Sequence, residues 1–269
     1  MRELRELLRY RDVLFNLVKR ELKVRYKNSV LGFLWSLLNP LLQILVLVIV
    51  FKLFMEQPEP NYSVKLVTTI LPWFFFAQVL QEGAACVAEE ISLVKKVYFP
   101  RLIVPLVTLA AGVIHFLLSL VVLVGMFVVV RVTVAWDYIP LFVVCIVIQV
   151  VFMLGLILLT SSLSVFYNDV RYILGSVTMM WFFLSPVLYM VNKVMEKQDL
   201  APIYKTIYML NPMAPIMVGY RSVLPLCEPA QAVPHYYAFL GIAACVAVAL
   251  AVVGAVVFRR YQWTFAEHG

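Results

Sequence analysis

The sequence predicts an all-α integral membrane protein. It has six transmembrane helices, an N-terminal amphipathic interface helix, and short re-entrant or interfacial helices between spans five and six. Three observations predict this. Of 269 residues, 64% are hydrophobic and only 14% charged, whereas a soluble domain carries about 25% charged residues. The apolar excess is gathered in runs of roughly 20 residues, the length a helix needs to cross the hydrocarbon core. These runs do not alternate apolar with polar residues, as the strands of a membrane barrel do. In hydrocarbon every backbone N–H and C=O must be satisfied within its own segment, so such runs become helices.

Residues 1–28 form the first element. Leu4, Leu7, Leu8, Leu14, Val18 and Leu22 recur at helical spacing, with Arg5, Arg9, Lys19, Arg20 and Lys23 between them, the pattern of a helix lying in the cytoplasmic interface. Residues 29–269 form one transmembrane domain. Its spans are expected at about 31–53, 64–81, 102–130, 139–165, 172–190 and 236–258. A charged loop is expected at 82–101, and a short loop, Phe166-Tyr167-Asn168-Asp169-Val170-Arg171, between spans four and five. The stretch 191–235 is broken by six prolines. Its apolar part, 203–224, suits short re-entrant or interfacial helices rather than a seventh span. Fifteen of the 22 Lys and Arg fall in segments on the N-terminal side of the membrane, which predicts both termini in the cytoplasm. The first apolar run is long enough to span and is preceded by too many residues for a signal peptide, so it is expected to be retained.

The net charge of +7 is accounted for by cytoplasmic loops and calls for no nucleic acid. Cys86, Cys145, Cys227 and Cys245 are scattered and read as small apolar side chains. The spans carry no acidic or basic residue except Lys52 and Lys65, each at one end of its span. That argues against proton pumps, ion-coupled carriers and voltage sensors. His115, the one imidazole within a span, reads as neutral and hydrogen-bonded to a neighbouring helix. No glycine opens a phosphate-binding loop, no metal-ligand spacing is present, and no nucleophile–base pair stands out. The chain is expected not to be an enzyme and to hold no cofactor; any ATP and Mg²⁺ would be bound by another chain.

Polar and aromatic patterns mark candidate functional faces. Trp35, Asn39 and Gln43 recur every fourth residue on one face of span one, with Pro40 kinking it. Thr178, Trp181, Ser185 and Tyr189 lie along span five, broken at Pro186. Trp73 and Phe76 belong to the aromatic run of span two. These side chains either join helices to one another or line a conduit for sugars, whose ring faces suit aromatics and whose hydroxyls suit amides. Lys23, Arg25 and Lys27 either anchor the positive inside or attract the pyrophosphate of a lipid carrier. Glu89, Glu90, Lys95, Lys96 and Arg101 form either a solvated helix face or a docking surface for a cytoplasmic partner. Ala243, Ala247, Ala251 and Ala255 make a small-residue packing ridge on span six.

Several segments in order resemble one family. They are Val30-Leu31-Gly32-Phe33-Leu34-Trp35-Ser36-Leu37-Leu38-Asn39-Pro40, Val97-Tyr98-Phe99-Pro100-Arg101, the loop Phe166–Arg171, Ser185-Pro186-Val187-Leu188-Tyr189 and Leu210-Asn211-Pro212-Met213. The chain is similar to the permeases of ABC transporters that export lipid-linked O-antigen, teichoic acid and capsule. One position departs: Asn168 stands where the family's short loop often carries arginine. The resemblance implies an inner-membrane homodimer paired with two copies of a nucleotide-binding ATPase. It implies a continuous channel with a lateral gate between spans one and five, closed outside by the short helices of 191–235. It also implies ATPase contacts at the N-terminal helix and the 82–101 loop. A permease for drugs or lipids, and a membrane enzyme or scaffold without an ATPase, are the alternatives left open.

Overall fold

The computed structural model describes residues 9–25, 27, 34–53, 62–91, 99–224, 230 and 233–265. Among the described residues every regular element is helical. In chain order these are α1 (Arg11–Arg25), α2 (Trp35–Leu53), α3 (Tyr62–Glu89), α4 (Ile103–Val130), a 3₁₀ turn (Trp136–Tyr138), α5 (Ile139–Ser164), α6 (Asp169–Phe183), α7 (Asn192–Met195), α8 (Pro202–Leu210), α9 (Met213–Arg221) and α10 (Tyr236–Tyr261). Lys95, Lys96 and Cys227 lie outside the described residues.

Four helices are long and apolar enough to cross a membrane: Tyr62–Glu89, Ile103–Val130, Trp136–Ser164 and Tyr236–Tyr261. Beside them stand two shorter apolar helices, α2 with 19 residues and α6 with 15. Two boundaries differ from expectation. The second span does not yield to a loop at 82; α3 runs on as helix through Glu82 to Glu89. Charge interrupts a hydropathy profile without interrupting helical hydrogen bonding. Helix α6, where the fifth span was expected, stops early, at Phe183. Fifteen residues reach about 22 Å, short of the roughly 30 Å core.

The centre of the bundle is α3. Its mean hydropathy is 1.5 with 78% of the stretch buried, against 2.9 and 22% for α4. A helix surrounded by other helices is not required to be as apolar as one surrounded by lipid. The neighbours of α3 are α2, α4, α5, α6 and α9. Pro72 sits inside it, and its carbonyl accepts a 2.8 Å bond from the Gln149 amide of α5. The other end of that amide accepts the Tyr220 hydroxyl of α9 at 2.6 Å. Gln149 and Tyr220 are both fully buried, so three helices share one dry polar bridge. An aromatic cluster lies beside it: the edge of Trp181 meets Phe76 at 5.4 Å and Phe152 at 5.8 Å, and Trp73 meets Phe182 at 5.5 Å.

The most extensive helix pair is α5 with α10. Ala243 and Ala247 of the predicted small-residue ridge are buried. The closest approach, however, is made by two glycines. A β-carbon on Gly155 would stand 2.5 Å from the carbonyl carbon of Leu250, and one on Gly254 would stand 2.6 Å from the Gly155 oxygen. Where lipid offers no hydrophobic drive between helices, such backbone proximity supplies the van der Waals contact.

At one end, α1 docks through Val18, Leu14, Leu17 and Leu22 against Ile103, Val104 and Val107 of α4, with Phe258 and Phe265 completing the cluster. The opposite face of α1 is exposed, including Lys19 and Lys23.

Gly155→Val forces α5 and α10 apart. Overpacking of this kind costs about 1–3 kcal/mol; the expected result is a lower unfolding temperature in mild detergent, read by tryptophan fluorescence, with Gly125→Val, on an open face, unchanged.

Candidate functional site

Two features concentrate polar side chains. The first is a cavity of about 720 Å³ enclosed by α1, α2, α3 and α4. Trp35, Asn39 and Gln43 of α2 form one wall together with Pro40, so the predicted fourfold spacing does present one shared face. Gln78 and Glu82 of α3 face the same space, as do His115 and Ser119 of α4. Phe75 and Phe116, stacked at 4.6 Å, supply an aromatic surface. The α2 face thus meets α3 and α4, and the fifth span takes no part in the cavity.

The α1 end of this cavity is ringed by ion pairs. Arg25 holds Glu82 at 2.5 Å, Gln78 adds a 2.9 Å bond to the same carboxylate, Arg20 pairs with Glu90, and Arg171 reaches Glu89 at 3.8 Å. Singly, such pairs contribute about 0–1 kcal/mol. Together they tie α1, α3 and the start of α6 at one level. Glu21 also lines the cavity. Burial pushes its carboxyl up, Arg25 pulls it down, and Glu82 and Glu90 push it up again. Carboxyl groups outnumber guanidinium groups among the residues lining this end, Glu21, Glu82, Glu89 and Glu90 against Arg25, and Arg25, Glu89 and Glu90 are each engaged within the chain. Lys23 and Lys27 are exposed. Arg101 lies over the Trp263 ring, 5.6 Å from its centroid.

The second feature is the break after α6. Pro186 lacks an N–H and its ring prevents the helix from continuing, so the carbonyls around it lose helical partners. Six of them have another partner. Phe183 O accepts from the Tyr189 hydroxyl at 3.1 Å, and Leu184 O from the Asn211 amide at 3.2 Å. Ser185 O accepts the Val187 N–H at 2.7 Å. Val187 O accepts both the Thr69 hydroxyl at 2.9 Å and Arg221 at 2.6 Å. Leu188 O accepts the Tyr62 hydroxyl, and Tyr189 O accepts Arg221 at 2.7 Å.

Asn211 organises the inner side of this break. Its oxygen accepts the Trp181 indole N–H at 2.7 Å and the Met213 backbone N–H at 3.2 Å, which caps the start of α9. Its amide nitrogen donates to Leu184 O and, at 3.0 Å, to the Ser185 hydroxyl. The orientation of the amide follows from its partners: an indole only donates and a carbonyl only accepts. Pro212 holds Asn211 in the extended conformation, φ −61°, ψ 116°, that a residue before proline favours.

The structure thus brings Trp181, Ser185 and Tyr189 together around Asn211 and Tyr208, whose hydroxyl donates to Tyr189 at 3.1 Å. Thr178 is buried and bonds back to Leu174 O at 2.6 Å. Trp73 and Phe76 are buried beside Trp181. Four organising residues escaped the sequence reading of the site: Gln149, Asn211, Tyr220 and Arg221. Gln149 was detectable as a lone amide inside an apolar run, and Asn211 as the residue before a proline between two short helices.

Comparison with known proteins bears on this arrangement. The sequence model for the ABC-2 type transporter matches residues 12–224. The chain belongs to the ABC-2 type transporter family. It is 32% identical to the O-antigen export system permease protein RfbA of Myxococcus xanthus over 99% of both chains. It is 31% identical to the protein of the same name from Klebsiella pneumoniae, over 95% of this chain and 94% of that one. The ABC-2 match takes in the whole cavity and the whole break after α6; α10 lies beyond it.

Asn211→Leu leaves the Trp181 indole and the Leu184 carbonyl without their partner. The expected cost is about 1–3 kcal/mol, read as a lower unfolding temperature together with a red-shifted Trp181 emission against a Trp181→Phe control.

Proposed function

We propose that this ABC-2 chain is the membrane-spanning permease of an ATP-driven exporter that moves a lipid-linked, O-antigen-like polysaccharide out of the cytoplasm across the inner membrane. The observation that carries this reading is the similarity, along 99% of the length, to a permease named for O-antigen export. In this reading α2 and α6 are spans one and five, which gives six crossings with both termini in the cytoplasm, and α1 lies in the cytoplasmic interface. Two copies of the chain pair with two copies of a separate ATPase, which binds ATP and Mg²⁺.

The cavity supports a glycan as cargo. It sets indole, amide and hydroxyl groups beside aromatic faces, a combination suited to sugar rings rather than to an apolar drug. Its carboxyl-rich rim repels pyrophosphate, which places the carrier's head group outside, near exposed Lys23 and Lys27, with Arg25 engaged by Glu82 until α1 moves. Glu89, Glu90, Lys95, Lys96 and Arg101 form the ATPase-facing level in this scheme. The pairing of Glu89 and Glu90 with Arg171 and Arg20 would transmit a push there to α6 and α1. The Trp35/Asn39/Gln43 face, moving away from α3 and α4, and the Trp181–Tyr189 face, framed by Trp73, Phe76 and Thr178 and moving with α6, open to admit cargo.

Two measurements test this reading. Purification in mild detergent is expected to recover an ATPase whose activity glycolipid alters; a chain that copurifies with none would be a scaffold or enzyme. Trp35→Ala combined with Asn39→Ala is expected to lower surface polysaccharide roughly tenfold, the equivalent of about 1.4 kcal/mol, at normal membrane abundance. Unchanged export would remove the cavity from the pathway.

A further inference from the structure

The break after α6 has one group that engages it twice, and this inference rests on the exporter reading above. Arg221 is the last residue of α9 and is 1% exposed. Its Nε donates to Lys65 O at 3.4 Å and its Nη1 to Tyr189 O at 2.7 Å. Its Nη2 donates to Val187 O at 2.6 Å and to the Thr69 hydroxyl at 3.1 Å. A single planar group therefore spans α3, at Lys65 and Thr69, and the unwound segment that follows α6. The other tethers of that segment from outside it, Tyr62 on Leu188, Thr69 on Val187 and Asn211 on Leu184, each hold one carbonyl.

Arginine is the side chain suited to this task. Its donors form a rigid fork that can satisfy several converging carbonyls, whereas lysine offers a point charge on a flexible stem. Burying a guanidinium this completely is costly unless every donor finds an acceptor, and here each of its three nitrogens does. Packing within this chain, moreover, holds α6 along one side only, through Leu174, Trp181 and Phe182. Of its 15 residues only Thr178 is buried, while Met179, Met180 and Phe183 are each more than half exposed. A helix held so lightly along its length takes its position from its ends. By contrast every residue of α9, which delivers Arg221, is buried, so the anchor is fixed and the tethered segment is the part able to move.

We infer that Arg221 is the positioning residue that locks the outer end of span five to span two and keeps the outer mouth of the pathway shut at rest. Opening requires the carbonyls of Val187 and Tyr189 to leave the guanidinium, which water in an open mouth would replace.

The test uses the permease–ATPase complex in proteoliposomes and measures nucleotide-free efflux of a small trapped anionic dye per incorporated complex. Arg221→Met is expected to raise efflux on the order of tenfold, the shift of a two-state gate by about 1.4 kcal/mol, with Arg221→Lys between it and the wild type. Should Arg221→Met not assemble, Thr69→Val with Tyr62→Phe removes two tethers of the same segment and is expected to raise efflux several-fold. Variants that stay as tight as wild type, or that lose abundance without leaking, overturn the assignment. A wild-type complex that neither hydrolyses ATP nor exports overturns the exporter reading instead, so the two failures are distinguishable.

Discussion

The structure depends on one constraint: a backbone carbonyl in a membrane protein must find a donor inside the protein. Most of the chain meets it by remaining helical. Around Pro186 it cannot, and residues drawn from four separate elements meet the requirement there. Tyr62 and Thr69 reach in from α3, Asn211 from the turn before α9, Tyr189 from the broken segment itself, and Arg221 from the end of α9. The placement of the short helices follows from this demand. With α9 any further from α3, Tyr189 O would lose its donor and Val187 O one of its two; with the turn at Asn211 opened, Leu184 O would lose its donor and the Trp181 indole its acceptor.

Two kinds of helix contact result. Between α5 and α10 the backbones meet at Gly155 and Gly254, and α3 is enclosed on several sides, so these three helices form a rigid frame. At α6 this chain covers one side of the helix, through Leu174, Trp181 and Phe182, and the segment that follows carries the polar attachments. A light helix tethered to a rigid frame is the arrangement that permits a discrete change of position without repacking a core. In the cavity, Trp35, Asn39 and Gln43 lie on the helix next to that frame, with Arg25 and Glu82 closing the level below.

Much of the fold was legible in the sequence because lipid makes composition decisive. Spans expected at 102–130, 139–165 and 236–258 correspond to helices at 103–130, 139–164 and 236–261. The errors have one origin, the use of hydropathy where hydrogen bonding decides. Glu82 and Glu89 ended the expected second span, yet the helix tolerates them because Arg25 and Arg171 stand opposite. The apolar run as far as Met190 suggested a longer fifth span, yet Pro186 and its capturing donors end it at Phe183. Within the site, the Trp35/Asn39/Gln43 face was readable because one helix carries all three. Gln149 and Asn211 stood out only as isolated amides, and the bonds that give them and Arg221 their roles were not readable, because the partners are far away in sequence: Gln149 bonds Pro72, Asn211 bonds Trp181, and Arg221 bonds Thr69.

The glycine seam has a consequence for how the protein is made. Helix α5 enters the membrane well before α10 is synthesised, and between them come α6, the break and three short helices. Until α10 arrives, Gly155 presents bare backbone to lipid, and the most extensive contact in the bundle does not exist. Helix α5 is thus complete before its main partner exists, and the frame against which α6 is held comes into being only when the distant helix docks.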